Sequence, residues 1–369
     1  MSKGQRVKSN KMLTTHCSLL IAHYSLLTTH CSLLIMKEIF TQLGQYIGNT
    51  AAFENLFARA YEQNSWFTPA NLTYACQTWA KTLTEENISQ WLSAYDLRAI
   101  KPKRVLIVMA GNVPLVGFHD LLCVLASGHQ AVVKLSSDDK VLLPHFADYL
   151  KEIAPKIGAR IEFTEERTAN FDAVIATGSN NTARYFEYYF GNKPHIIRKN
   201  RHSVAVLTGE ETQQQLFALG RDIFQYYGLG CRSVSKLFVP EDYNFDLFFK
   251  AIYPYKDLIE EQKYANNYDY NKAVYLMSLF KLLENGFLIL KEDTHYGSPI
   301  ATLFYEYYTD INQLKARLAA DAEQLQCVVS SGFSNSEVPF GTTQQPALWD
   351  YADGVDTIEF LIELSASSF

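Results

Sequence analysis

The chain has 369 residues, 48% of them hydrophobic and 20% charged, with 23 Tyr and 23 Phe. That length exceeds what one hydrophobic core usually holds, so two lobes are expected, and the composition excludes disorder over most of the chain. The formal charge is −6, and because Lys3, Arg6, Lys8 and Lys11 stand in the first 35 residues without an acid, the rest carries −10, which argues against nucleic acid as a partner.

Residues 13–21 and 27–35 both read LTTHCSLLI and are joined by AHYSL, a perfect duplication in an otherwise unrepetitive chain. Identity that complete has the character of a tandem DNA repeat rather than of a fold element. Preceded by lysines and itself uncharged, the stretch imitates a signal peptide or a membrane span. Its His, Thr, Ser and Cys content lowers its hydrophobicity, so no membrane insertion is expected. Residues 1–35 are read as a non-native or disordered extension, with Met36 as the expected start of translation and MKEIFTQLGQYIG as the beginning of an amphipathic helix.

From 37 to about 97, helical patterns rich in aromatic residues, such as FENLFARAYEQ and ISQWLSAYDL, read as a packing layer. From Lys101, short apolar runs alternate with helical stretches: RVLIVMAG, PLVGFHDLLCVLAS, QAVVKLS, LPHFADYLKEIA, ARIEFTE, FDAVIATGS and NTARYFEYYF. That alternation predicts an α/β fold with an open, mostly parallel, doubly wound sheet, which binds ligands at the carboxyl ends of its strands. After SVAVLTG (203–209), a helix EETQQQLFALGRDIFQYY leads through GLGC into a strand, SVSKLFVP, where a second lobe begins. It continues through helical stretches around 244–284, strands LILKED and ATLFYEYY, a helix INQLKARLAADAEQL and a strand CVVSSGF. The expected division is therefore 36–202 for the N-terminal helices with a cofactor-binding lobe, 203–345 for a catalytic lobe, and 346–369 for a segment packing back on the core.

Six cysteines, at 17, 31, 76, 123, 231 and 327, lack CxxC spacing, so neither a metal site nor a disulfide framework is indicated, and a reducing, cytoplasmic compartment fits best. Cys76, Cys123 and Cys327 read as small buried hydrophobes. Cys231 differs because it follows Gly228 and Gly230 between a helix and a strand, where the backbone can turn and a substrate can approach; nucleophile and packing residue are even alternatives there. Asn112, directly after the strand RVLIVMA, is a cap or turn residue or a donor to an oxyanion. Lys134, Ser136 and Ser137, at the end of the next strand, suit a phosphorylated ribose or a plain surface. Gly178 and Ser179, opening a helix after a strand, offer N–H groups to a pyrophosphate, a weak signal in isolation.

In this order and spacing, AGNVPL, VVKLSS, ATGS and GLGC resemble the aldehyde dehydrogenase superfamily, and within it the LuxC-type acyl-CoA reductases, to which the ending VPFGTTQQPALWDYADGVDTIEFL is also similar. The resemblance runs from about Lys101 to the C-terminus. It implies an aldehyde dehydrogenase-like fold of two α/β lobes, with Cys231 as nucleophile, Asn112 as oxyanion donor, and Lys134, Ser136, Ser137, Gly178 and Ser179 at the cofactor. Hydrolysing members of the superfamily carry a glutamate in an E-L-G-G segment; the matching stretch here, IIRKNRHSVAVL, offers Arg198 and Lys199, which points away from attack by water. NAD-preferring members carry a glutamate three residues after the lysine, where this chain has Ser137, so the resemblance implies NADPH. The second ribose-binding glutamate of the family falls near KEDTHYGSP, where Glu292 and Asp293 match inexactly. The implied reaction takes a fatty acyl group from coenzyme A onto Cys231 and releases it as an aldehyde. An acyl-phosphate reductase of the same superfamily and an inactive scaffold are the alternatives. A homodimer is expected by analogy.

The aromatic runs YFEYYF (185–190) and QYYG (225–228) read more readily as core than as a channel for an acyl chain, and His202 as a surface residue rather than a proton carrier.

Overall fold

The computed structural model describes residues 34–98, 100–166, 170–334 and 336–366, so the duplicated N-terminal segment lies outside the described residues apart from its last two. Helix α1 (34–48) is followed by α2 (Glu54–Gln63), α3 (Pro69–Thr82) and α4 (Glu85–Ser93). Two of the starts have a local cause: Thr68 caps α3 by accepting from the Asn71 N–H, with Pro69 in the first turn, and Thr84 caps α4 ahead of Glu85 and Glu86.

The first sheet is assembled from β1 (Arg104–Val108), β2 (Gln130–Lys134), β3 (Ile161–Phe163), β4 (Ala173–Thr177) and β5 (His195–Arg198) in the order β3-β2-β1-β4-β5, every pair parallel. Helices α5 (Phe118–Ala126), α6 (Leu142–Ile153), the single turn α7 (Pro155–Gly158) and α8 (Asn180–Phe190) make the crossovers. Alternate strand residues serve opposite faces, as the pleat demands. Val105, Ile107, Ala131, Val133, Ala173 and Ile175 join the large core under α1–α6, while Leu106, Val132, Val174 and Ala176 meet Phe186 and Phe190 of α8.

The second sheet, in the order β11-β6-β7-β10-β9-β8, holds β6 (His202–Val206), β7 (Val234–Pro240), β8 (Leu282–Glu284), β9 (Ile289–Glu292), β10 (Thr302–Tyr308) and β11 (Leu325–Val329). Its strands run parallel except β8, which pairs antiparallel with β9. One face packs on α9 (Gln213–Phe224) and α10 (Phe245–Ile252), the other on α12 (Ile311–Ala320); α11 (Gln262–Met277) adds Tyr264 and Tyr268 near β9. A capping box of Thr212 and Gln215 starts α9. Helix α13 (Thr357–Ala366) returns to the first sheet's lobe, burying Ile358, Leu361 and Leu364 with the core of α5 and β2.

Two strands were not anticipated. In β5, Arg198 interrupts the apolar pattern because its charge is neutralised in the interior, and β8 is a short edge strand of three residues. The helix expected to run through Tyr227 ends at Phe224, since Tyr226 and Tyr227 take left-handed backbone angles.

Candidate active site

The loop after β1 is shaped by two contacts. Leu115 sits at φ 62°, a conformation that is unfavourable for a branched residue, and its N–H donates to Asp139 Oδ2 at 2.9 Å. Gly111 has room only for hydrogen, because a Cβ there would lie 2.6 Å from Ser136 Oγ. Asn112, at the exposed tip, donates from Nδ2 to the Leu229 carbonyl at 2.6 Å. The loop of the first sheet thereby touches the loop that carries Cys231.

That second loop begins with three consecutive positive φ values, Tyr226 (55°), Tyr227 (58°) and Gly228 (77°). Burial of both tyrosine rings, against Tyr74 and Trp66, offsets the strain of this left-handed turn. Beyond it the Ser233 N–H donates to the Gly230 carbonyl at 2.9 Å, and Ser203 Oγ donates to the Cys231 carbonyl at 2.9 Å. Cys76, Cys123 and Cys327 are buried, as their apolar settings predict, whereas Cys231 is exposed. Protein still crowds the sulfur, and desolvation pushes the thiol up to about 11; the Arg232 and Arg198 charges oppose that shift, and Cys327 and Asp353 add to it. The loop thus presents a reachable thiol whose ionisation is not yet favoured.

Three arginine–aspartate pairs surround this loop. Arg198 binds Asp120 of α5 through two guanidinium nitrogens, both side chains almost fully buried. Arg201 meets Asp353 at 3.2 Å, and Arg232 pairs with Asp350 while its Nε donates to the Thr343 carbonyl at 2.6 Å. Each of these cations has a carboxylate partner, so the cluster offers no unpaired charge to a leaving phosphate. Lys199, in the stretch matching E-L-G-G, is exposed and pairs with Glu187. Asp353, which the sequence reading passed over, holds φ 60° and stands close enough to the thiol to raise it.

At the end of β2, Lys134 Nζ donates to the carbonyls of Glu165 (3.2 Å) and Glu166 (3.4 Å), and it has no ion pair among the described residues. Ser136 Oγ accepts from the Asp138 N–H at 3.3 Å and Ser137 Oγ donates to the Asp138 carboxylate at 3.2 Å, a carboxylate that the sequence reading did not weigh. Gly178 and Ser179 form the turn from β4 into α8, where Ser179 is the N-cap and accepts from the Thr182 N–H at 3.3 Å. The β1, β2 and β4 ends thus bring Asn112, Lys134, Ser136, Ser137, Gly178 and Ser179 to one edge of the first sheet, and Asn112 alone of these is bonded to the cysteine loop.

The remaining candidates have other surroundings. Phe186 and Phe190 pack beneath the sheet, but Tyr185, Tyr188 and Tyr189 point outward, so the run YFEYYF divides between core and surface. His202 is half-buried, its ring packed against Gly297, and burial lowers its pKa. Glu292 is exposed at the end of β9; Asp293 is held by Lys291 and His295.

Residues 93–248 match the family described as acyl-CoA reductase (LuxC), a span that includes Asn112, Lys134 and Cys231. No curated protein matches the chain. Among solved structures, aldehyde dehydrogenase 21 from Physcomitrella patens is similar with a TM-score of 0.61 and 13% identity, covering 89% of this chain and 84% of that one. The aldehyde dehydrogenase KauB from Pseudomonas aeruginosa gives 0.57 and 14%, covering 83% and 77%, and an NAD+ complex of aldehyde dehydrogenase from Bacillus cereus gives 0.57 and 12%, covering 81% and 71%. At such identities the structures speak to the fold, which is aldehyde dehydrogenase-like. The LuxC match supports an oxidoreductase that reduces acyl groups. Among the described residues no helix is long and apolar enough to cross a membrane, and no group of three or more His, Cys, Asp or Glu is placed to hold a metal ion.

Proposed function

We propose that the chain is a cytoplasmic, NADPH-dependent reductase that converts a long-chain fatty acyl-CoA to the aldehyde and free coenzyme A through a thioester on Cys231. The observation that carries this reading is the contact between lobes: an exposed cysteine lies in a loop whose Leu229 carbonyl is bonded to the Asn112 amide.

The Cys231 sulfur attacks the thioester carbonyl, the S–H proton leaves, and the carbonyl oxygen becomes an oxyanion. An asparagine amide has two N–H donors; one is committed to Leu229, and the second is free for that oxygen, together with the Cys231 backbone N–H. Collapse expels coenzyme A as its thiolate, which takes up a proton. Held by Lys134, Ser136, Ser137, Gly178 and Ser179, NADPH would supply the hydride that reduces the acyl carbon, and the thiohemiacetal on Cys231 would then break down to aldehyde and thiol.

Lys134, which forms no ion pair among the described residues, together with Ser136 and Ser137, fits a 2′-phosphate; Gly178 and Ser179, at the start of an eleven-residue helix, fit the pyrophosphate. Asp138 works against that phosphate, so the lysine is asked to outweigh it. The arrangement favours this reading over acyl-phosphate reduction because Arg198, Arg201 and Arg232 are already paired. The decisive experiment mixes the protein with NADPH and a panel of acyl-CoAs and follows cofactor absorbance. Consumption that needs acyl-CoA and disappears in Cys231→Ala, with NADPH binding retained, supports the reading; turnover in the alanine variant sinks it.

A further inference from the structure

We propose that Asp222 is a positioning residue for Cys231, acting through a strap formed by residues 341–344. The inference rests on Cys231 being the nucleophile of the reading above. Asp222, near the end of α9, is fully buried, and its carboxylate accepts three hydrogen bonds from a segment about 120 residues further along the chain. The Gly341 N–H reaches Oδ2 at 2.6 Å; the Thr343 N–H and hydroxyl reach Oδ1 at 3.0 and 2.9 Å. Among the described residues no basic side chain hydrogen-bonds to it; burial raises its pKa, and the three hydrogen bonds from the segment and the Arg221 charge oppose that shift, so a polar group is kept in the interior to hold one piece of backbone. An apolar side chain would fill this place on a buried helix face without that desolvation.

The strap it holds is placed against the nucleophile loop. Gly341 has φ 82°, and a Cβ there would come within 3.0 Å of Ala218 Cβ, so the strap runs directly on the surface of α9. From Thr343, itself fully buried, the carbonyl accepts from Arg232 Nε at 2.6 Å, and Gln344 Nε2 donates to Ser233 Oγ at 3.2 Å. The two residues that follow Cys231 are therefore both fixed by the strap. Asn112 and Ser203 fix Leu229 and the Cys231 carbonyl from the other side.

Arg232 matters because it is the largest influence opposing desolvation of the thiol. The other charged or titratable groups facing the sulfur are Cys327, Asp353 and Arg198. Arg198 is bound at close range to Asp120, and the Asp350 partner of Arg232 is nearly half exposed. If the strap is loosened, Arg232 loses its hydrogen bond to the Thr343 carbonyl and is free to follow Asp350 toward solvent. The Cys231 thiolate then lacks its neighbouring positive charge.

The test uses the full chain and the alkylation rate of Cys231 by iodoacetamide, followed on the Cys231 peptide by mass spectrometry as a function of pH. Asp222→Ala is expected to move the half-point of the profile upward by about one pH unit and to slow alkylation at pH 7.5 about tenfold, the two being the same free energy. Asp222→Asn, which keeps one acceptor for Thr343 but faces the Gly341 N–H with a donor, is expected between the two. The asparagine variant carries the test if the alanine variant does not fold. A folded variant whose pH profile superimposes on that of the unsubstituted protein overturns the proposal. Failure of the protein to reduce any acyl-CoA would instead count against the proposed function and leave the alkylation result to decide the role of Asp222.

Discussion

The side-chain amide of Asn112 lies 2.6 Å from the carbonyl oxygen of Leu229, two residues ahead of Cys231, and so joins the end of a strand in one sheet to the loop entering a strand of the other. A single substitution there tests both positioning and oxyanion stabilisation. Asn112→Ala is expected to lower kcat for acyl-CoA reduction about 10²–10³-fold, the loss associated with one oxyanion donor, with a much smaller change in KM. Stopped-flow measurement of NADPH consumption gives both constants; a fall confined to KM would show that the amide binds substrate without stabilising the transition state.

Asp353 adds to the upward shift of the Cys231 thiol, so its removal has a definite sign. Asparagine is the suitable replacement, because it tolerates the φ of 60° held here better than most residues. Asp353→Asn deletes a negative charge facing the sulfur and releases Arg201 from its partner 3.2 Å away. Loss of that charge favours the thiolate, so alkylation at pH 7.5 should quicken several-fold and its pH profile should move down. An unchanged or slower reaction would remove Asp353 from the electrostatics of the site.

Asp139 pins the Asn112 loop through the Leu115 N–H, and burial pushes its carboxyl up to about 6 from the usual 3.8, with that N–H opposing the shift. Between those two values the folded state binds more protons than the unfolded one, so this residue's contribution is fully present below about pH 4 and is lost as the pH rises through 6. A shift of about two pKa units corresponds to roughly 3 kcal/mol of lost stability at neutral pH. Asp139→Asn keeps an acceptor for Leu115 and has no charge to bury. The variant should be more stable at pH 7.5 by about 1–3 kcal/mol, with little difference at pH 4, as measured by urea unfolding. Equal gains at both pH values would mean that packing, not ionisation, distinguishes the two side chains.

The buried pair of Asp120 and Arg198 makes the opposite prediction for stability. Asp120→Ala leaves a guanidinium inside the fold with Thr357 Oγ1, at 3.2 Å, as its remaining side-chain hydrogen-bond partner among the described residues. A loss of about 3–5 kcal/mol is expected, well above that of a surface ion pair. Thermal unfolding of the single variant against Asp120→Ala with Arg198→Met separates the two sources of loss, since the double variant should recover much of the stability if the stranded charge is the cause.

How much of this was legible beforehand depended on the range of the interactions. The alternation of RVLIV, QAVVK and AVIAT with helical stretches is local, and it foretold the parallel sheet; the glycines around Cys231 separated it from the three buried cysteines. The long-range contacts of the aspartates were not legible. Asp222 and Thr343 are 121 residues apart, and only folding brings them within 2.9 Å. Asp353 lies 122 positions beyond the cysteine that it influences. The left-handed turn at Tyr226 and Tyr227 defeats reading by propensity, because burial of the two rings, not local preference, holds it. Strand β5 escaped because Arg198 reads as surface until its buried partner on α5 is known.

The proposed preference for NADPH sets Lys134 against Asp138. Among the described residues Lys134 hydrogen-bonds only to backbone carbonyls and forms no ion pair, although its charge also acts on the nearby Glu165 carboxylate, so it remains available to a 2′-phosphate; Asp138, 3.2 Å from the Ser137 hydroxyl, repels the same group. A phosphate bound between them should respond to each side chain with opposite sign, whereas a 2′-hydroxyl should respond weakly to both. Lys134→Ala is therefore expected to raise the NADPH dissociation constant about tenfold or more while changing that of NADH less, and Asp138→Asn to tighten NADPH selectively. Fluorescence titration of each variant with both cofactors reads the four constants. If Lys134→Ala weakens both cofactors equally, the lysine is bound to a part they share, and the basis for preferring NADPH at this site is gone.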